Sequence, residues 1–364
     1  KFKRDNSDAK IIAITGSAGK TSLKDTVSRI LKKYNDTHSS PRSFNNHYGV
    51  PISLSNLKTN HRYGIFEVGM SKAGEINKLS KLIKPHLAII TNIAEAHIEN
   101  FKNLQGIAKA KAEILNNIEP YGTIILNRDD KFFNFLKKKA KKNKIKVISF
   151  GKSKFSDIRL VDIKKIGKIK KIFVKTGNQL LELNINEVNI YNILSTLAVL
   201  KVLELNPRSV LKEFEKLQPS YGRGKSYSIK RYNKNFNLID ESYNANPLSV
   251  KTALNNFSSL KKDKFKKYLL LGDMLELGKK SEIYHTKLSK LINSSDIDKV
   301  FVTGEKSLFT YKHLKKAKRG NIIQCKDDVD LVLKNIIVNN DYLMIKGSNA
   351  TGLNDISNEM IKGS

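Results

Sequence analysis

The sequence predicts an α/β protein of two domains, each built on a mostly parallel sheet. Three observations carry this prediction: short apolar strands alternate with helical stretches, a glycine-rich turn joins the first strand to a helix, and the alternation restarts after a turn-rich break at Gln218–Gly224. A chain of 364 residues is long for one ordinary core and suits two. The boundary is expected near residue 221, giving domains 1–220 and 221–364.

In the first domain, strands are expected at Ile11–Thr15, Gly64–Val68, Leu87–Asn92, Thr123–Asn127 and Val147–Phe150, with helices between them. Residues 158–185 alternate and predict a β-ribbon; helices follow over Ile190–Glu204 and Pro207–Leu217. In the second domain, strands are expected at Leu238–Asp240, Tyr268–Leu271, Val300–Thr303, Ile322–Gln324 and Tyr342–Ile345. Each of the last four precedes a helical stretch, and Pro247 opens one after the first.

Composition narrows the class. Apolar residues make up 40% of the chain, enough for packed cores. No apolar run approaches the roughly 20 residues of a membrane helix, and no basic-then-apolar leader opens the sequence. Cys325 is the single cysteine, which excludes an intramolecular disulfide and a cysteine zinc cluster and fits a reducing cytoplasm. The net charge of +33 raises a nucleic-acid partner. The lysine runs at Lys137–Lys146, Lys261–Lys267 and Lys312–Arg319 carry few aromatics for base stacking, so solvated faces are the expectation and nucleic acid is not.

The strand-to-helix turn reads Gly16-Ser17-Ala18-Gly19-Lys20-Thr21-Ser22, and Leu23, Val27, Ile30 and Leu31 mark the buried face of the helix. Small residues let backbone N–H groups close around phosphate oxygens, and a helix N-terminus favours the anion. Lys20 is placed to reach the β- and γ-phosphates of ATP and Thr21 to ligate Mg²⁺. The spacing is shorter than the common phosphate-loop motif but matches its tail in the required strand–loop–helix setting.

Glu67 closes a strand, and strand C-termini in such sheets face the ligand crevice, where a carboxylate can hold Mg²⁺. His97 follows another strand and can reach the same crevice, although a lone histidine is more often structural. In the next helix, Leu104, Ile107, Ala108, Ile114, Leu115 and Ile118 form an apolar stripe with Lys111 at its centre and Lys109 opposite. A bare ammonium on a buried face is costly, so Lys111 must snorkel, pair with an acid, or be modified, for example carbamylated by CO₂ into an anionic metal ligand.

Together these segments resemble the Mur ligase family, most closely its MurF branch. The matching text runs through Ile14–Ser22, Asn45–Leu54, Glu67–Ile76, Thr91–Phe101 and Ile107–Leu115, then through Leu238–Val250 (LIDESYNANPLSV), Leu271–Gly278 (LGDMLELG) with His285, and Ile345–Ser348. The resemblance implies a P-loop-type central ATPase domain and a smaller Rossmann-like C-terminal domain. It also implies an ATP- and Mg²⁺-dependent amide ligase working through an acyl-phosphate, adding D-alanyl-D-alanine to a UDP-muramoyl-tripeptide in peptidoglycan precursor synthesis. On matching positions, Thr21 and Glu67 hold one Mg²⁺, and His97 with a carbamylated Lys111 holds a second. Asn189 and Asn192 meet adenine, and Arg223 and Asp240 approach the nucleotide. Asn244 and Asn246 lie in a substrate-side loop, and Asn45 and Asn46 sit near the reacting carboxylate.

Alone, Asn246 before Pro247 reads as a turn before a helix, and Asp240 as a solvated strand end; their order after the phosphate loop favours the functional reading. The chain departs from the family at Arg42-Ser43, Asn186, Val188 and Asn349, and only residues 1–10 precede the first strand. A sugar-nucleotide-binding N-terminal domain is therefore expected to be missing or carried by a separate chain. Two rivals remain: a diverged ligase joining another carboxylate and amine, and a non-catalytic nucleotide- or nucleic-acid-binding protein.

Overall fold

The computed structural model describes residues 2–166, 169–186, 188–260 and 265–363. The chain forms two compact units, Lys1–Ala94 with Asn100–Gln218, and Glu95–Glu99 with Pro219–Ser364. No helix among the described residues is long and apolar enough to cross a membrane.

The first unit contains β1 (Lys10–Thr15), β2 (Thr37–Ser39), β3 (Tyr63–Glu67), β4 (Leu87–Ile90), β5 (Thr123–Asn127), β6 (Lys146–Gly151), β7 (Ile158–Ile166), β8 (Ile169–Thr176) and β9 (Gln179–Ile185). They form one sheet in the order β2-β3-β1-β4-β5-β6-β7-β8-β9. Pairing is parallel from β2 to β7 and antiparallel from β7 to β9, the expected ribbon. Strands β3 and β4 are buried throughout, and β1 beyond Lys10, which is why they read as near-continuous apolar runs. Helices Lys20–Leu31 and Ile190–Val202 pack against each other, and the second is buried on nearly every side.

Strand β1 lies between β3 and β4, with Ile14 opposite Glu67 and Thr15 opposite Ile90. Successive strands thus leave β1 to opposite sides, and the crevice at that switch point gathers the turn after β1, the end of β3 and the loop after β4.

The second unit contains β10 (Lys225–Arg231), β11 (Lys234–Glu241), β12 (Lys267–Leu271), β13 (Lys299–Val302), β14 (Arg319–Ile322) and β15 (Tyr342–Lys346), ordered β10-β11-β15-β12-β13-β14. All neighbours are parallel except the hairpin β10–β11. Phe236, Leu238, Tyr268, Leu270, Phe301, Leu343 and Ile345 anchor its core.

Four elements differ from expectation. Strand β10 was not expected: it is an edge strand whose only fully buried residue is Ile229, so apolar patterning is nearly absent. Strand β2 is only three residues long. Strand β14 lies at Arg319–Ile322 rather than Ile322–Gln324, because this exposed edge follows no buried pattern. The helix carrying Lys111 ends at that residue and continues as a 3₁₀ turn over Ala112–Asn117. Of the lysine runs, the first lies mostly on helix Phe133–Lys142, and residues 261–264 of the second lie outside the described residues.

Candidate functional site

In the first unit, the turn after β1 is shaped by two glycines in conformations that side chains rarely adopt. Gly16 has φ 148°, and a Cβ there would come 1.8 Å from Thr91 Oγ1; Gly19 has φ 80° and caps helix Lys20–Leu31. The loop after β4 lashes the turn in place. Thr91 Oγ1 donates to Ala18 O at 2.7 Å, Asn92 Nδ2 donates to the same oxygen at 3.1 Å, and Ala18 N–H donates to Asn92 Oδ1 at 2.9 Å. Ser17 Oγ donates to Ala94 O and accepts from Ala94 N–H, both at 2.9 Å. Lys20 Nζ folds back to donate to Gly16 O at 3.0 Å, so the ammonium sits over the turn.

At the end of β3, Glu67 is 1% exposed. Thr21 Oγ1 donates to its Oε2 at 2.7 Å and Asn45 Nδ2 to its Oε1 at 2.7 Å, while Ser43 Oγ lies 3.1 Å from Thr21 Oγ1. No Lys, Arg or His pairs with Glu67 among the described residues. A buried carboxylate served only by neutral donors is short of one positive charge. Clustered carboxylate and hydroxyl oxygens are the donor set that a hard divalent cation takes, so Thr21 and Glu67 fit Mg²⁺.

Lys111 is 2% exposed, whereas Lys109 is exposed, as the helical phase predicts. Among the described residues its Nζ forms no hydrogen bond or ion pair. Burial, and then the like charge of Lys20, push its pKa well below the usual lysine value. Among the described residues no acid pairs with Lys111.

His97 falls in the short segment that clusters with the second unit. Its backbone is left-handed at φ 56°, and its Nδ1 lies 2.8 Å from the Glu276 carboxylate, whose own φ is 63°. The imidazole lowers the Glu276 pKa by hydrogen bonding. Glu276 sits in the LGDMLELG segment, and sequence reasoning did not single it out.

Several of the expected asparagines act on backbone. Asn46 is exposed, and its Oδ1 accepts from Tyr48 and Gly49 N–H at 3.1 and 2.9 Å at the start of helix Gly49–Ser55. Asn189 is exposed and caps helix Ile190–Val202 through Tyr191 N–H at 2.9 Å. Asn192, by contrast, is 6% exposed, and its Oδ1 lies 3.9 Å from where a Cβ on Gly19 would stand, beside the phosphate turn.

In the second unit, Asp240 is fully buried: Oδ2 accepts from Gly222 N–H at 3.0 Å, and Oδ1 from Ser242 N–H at 3.2 Å and Ser242 Oγ at 2.5 Å. It braces the turn that carries Arg223, whose guanidinium lies 4.4 Å from the Tyr243 ring centroid. Asn244 Oδ1 accepts from Ala245 N–H, and Asn246 forms a reciprocal capping box with Ser249 ahead of Pro247. His285 is fully buried and accepts Met274 N–H on Nε2 at 3.0 Å; burial lowers its pKa and favours the neutral ring that this bond requires. Lys346, 1% exposed, donates to the carbonyls of Glu241 and Asn244. The two halves of the expected set therefore differ: Lys20, Thr21, Glu67, Asn45 and Asn192 gather at the end of β1, and Asp240, Asn244 and Asn246 are spent on loop architecture.

Comparison with known proteins adds an independent line. The Mur ligase middle domain matches residues 14–200, and the Mur ligase glutamate ligase domain matches residues 228–349. The UDP-N-acetylmuramoyl-tripeptide–D-alanyl-D-alanine ligase of Buchnera aphidicola is 34% identical over 99% of this chain and 78% of its own length. That of Bacillus subtilis is 30% identical over 97% of this chain and 76% of its own. The crystal structure of MurF from Acinetobacter baumannii superposes with a TM-score of 0.88 at 26% identity, covering 99% of this chain and 78% of that one.

Proposed function

The chain belongs to the Mur ligase family and is an ATP-dependent ligase, and from that premise we propose that it joins D-alanyl-D-alanine to the free carboxylate of a UDP-N-acetylmuramoyl-tripeptide. The observation that carries this reading is identity of 34% over nearly the whole chain, both units included, to a ligase named for that reaction.

The reaction has two steps. A substrate carboxylate oxygen attacks the γ-phosphorus of ATP, giving an acyl-phosphate and ADP. The amine of the dipeptide then attacks the acyl carbon, the amide forms, and phosphate leaves with the carboxylate oxygen it acquired. No protein nucleophile is required; the chain's work is positioning and charge neutralisation. The turn from Gly16 to Lys20 and the N-terminus of the following helix cradle the phosphates, with Lys20 leaving Gly16 O for phosphate oxygens. Asn192 borders the turn from the nucleotide side. Thr21 and Glu67 would hold Mg²⁺, which would supply Lewis-acid neutralisation of phosphate charge. Asn45 donates to Glu67 and so orients it, and the family resemblance assigns Asn45 and Asn46 to the reacting carboxylate. For the second unit, the family resemblance assigns Arg223 to the nucleotide and the Asn244–Asn246 loop to the substrate.

Lys111 enters as its carbamate. Burial and the like charge of Lys20 push the Lys111 pKa down, which favours the neutral amine that adds to CO₂ with loss of a proton, and the resulting carbamate would offer oxygen donors to a Mg²⁺. The test is product formation. With ATP, Mg²⁺, the UDP-tripeptide and D-alanyl-D-alanine, the mass of the amide product should appear with ADP release that depends on both co-substrates. ADP release indifferent to the dipeptide overturns the assignment.

A further inference from the structure

Helix Lys20–Leu31 carries a second buried lysine, Lys24, one turn beyond Lys20 and outside the chemistry described above. It is 2% exposed, and its ammonium donates to Ser40 O and Arg42 O, both at 2.6 Å, with the Asp25 carboxylate 3.2 Å away as an ion pair. Two carbonyls two residues apart thus converge on one ammonium, and both belong to the segment that leads to Ser43 and Asn45.

That segment needs holding. Arg42 has φ 44°, a left-handed conformation that a non-glycine residue adopts only when its surroundings impose it. Ser40 N–H donates to Ile65 O at 2.9 Å, and Ser40 Oγ accepts from Glu67 N–H at 3.2 Å, so the near end is tied to β3. Gly69 N–H donates to Asn45 O at 2.8 Å at the far end. Between the two, Lys24 is the clamp on the strained residue. Downstream of it, Ser43 meets Thr21 and Asn45 meets Glu67.

We propose that Lys24 is a positioning residue for the ligase reaction, its ammonium fixing the Ser40–Asn45 segment so that Ser43 and Asn45 set the geometry of the Thr21–Glu67 pair. The inference rests on the ligase reading given above. Lys24 and Lys20 divide the work of one helix: the first shapes the oxygen donors, the second meets phosphate.

Lys24→Met keeps the aliphatic stem and removes all three donors; Lys24→Gln keeps a shorter, uncharged amide with two. Ligase rates are measured against free Mg²⁺ at saturating ATP, with nucleotide-analogue binding measured beside them. The half-saturating Mg²⁺ concentration should rise about tenfold in Lys24→Met, and kcat should fall roughly 10- to 100-fold, as for groups that orient metal ligands. Analogue affinity in the absence of Mg²⁺ should stay within about threefold, since Lys20 and the turn are untouched. Lys24→Arg, which restores charge and donors, should recover part of the Mg²⁺ response. A residue that only stabilises the fold lowers the active fraction without moving the Mg²⁺ half-saturation. A wild-type half-saturation in folded Lys24→Met, or in Lys24→Gln should the first prove insoluble, overturns the proposal. Absence of Mg²⁺-dependent ligation in the wild-type protein instead overturns the underlying reading.

Discussion

Two buried lysines, one in each unit, show how the same side chain is put to opposite uses. Lys111 and Lys346 are 2% and 1% exposed, and burial pushes the pKa of both downward. Lys346 is surrounded by oxygens: the Glu241 and Asn244 carbonyls and, at 3.5 Å, the Glu241 carboxylate, which pulls its pKa back up. It ties β15 to the loop after β11. Lys111 meets burial and the like charge of Lys20, with no acid to pull its pKa back. The lesson is that burial alone does not assign a lysine; the partners do. A cation among acceptors is structure, and an amine without them is available for chemistry.

The comparison makes its largest demand on Lys111→Met. Removing an uncompensated buried amine should leave thermal stability unchanged or raised, while ligase activity falls roughly 10³-fold if the carbamate is a metal ligand. Titrating activity against bicarbonate, and unfolding the variant beside wild type, reads both effects. A variant that is active and less stable reverses the assignment.

Lys346→Met should show the converse pattern. Stripping the ammonium from the two carbonyls and Glu241 should cost about 3 kcal/mol of stability, since buried acceptors are left unmet. Denaturant unfolding of the full chain measures it, and a neutral result would mean that water replaces the cation freely.

Lys20→Ala removes the like charge that acts on Lys111 and leaves Lys346 untouched. Affinity for a non-hydrolysable ATP analogue should drop by about 2 kcal/mol, roughly 30-fold, through loss of charged contacts to phosphate. Equal binding by calorimetry contradicts the phosphate-turn assignment.

The smallest effect is a pH slope. Because the folded pKa of Lys111 is lowered from 10.5, the unfolded chain binds that proton more readily between the two values. Stability in bicarbonate-free buffer should therefore rise with pH across that window, and Lys111→Met should remove this contribution. An identical slope in the two proteins counts against an unprotonated Lys111.

The parts of the molecule that the sequence disclosed are those where one physical requirement dominates. Strands β1, β3 and β4 had to be apolar throughout because both faces are covered, and the phosphate turn had to be glycine where Thr91 crowds Gly16. Lys111 announced itself by helical phase. Lys24 obeys the same signal, since it stands three and seven residues before Val27 and Leu31 on the apolar face, yet it passed unnoticed beside the stronger motif at Lys20. Strands β10 and β14 were hidden because edges held by backbone pairing leave little pattern in side chains. The asparagines were the least readable. One residue type caps a helix at Asn189 and Asn246, accepts from a turn at Asn46 and holds a carboxylate at Asn45, and only the fold distinguishes these uses.

The central claim, that this chain activates a carboxylate by phosphorylation before forming an amide, is tested most directly by following oxygen. A UDP-muramoyl-tripeptide labelled with ¹⁸O in its terminal carboxylate is supplied with ATP, Mg²⁺ and D-alanyl-D-alanine, and the released phosphate is analysed by mass spectrometry. The account predicts one ¹⁸O in each phosphate, matched one for one by amide product. Unlabelled phosphate, or phosphate released without amide, contradicts it.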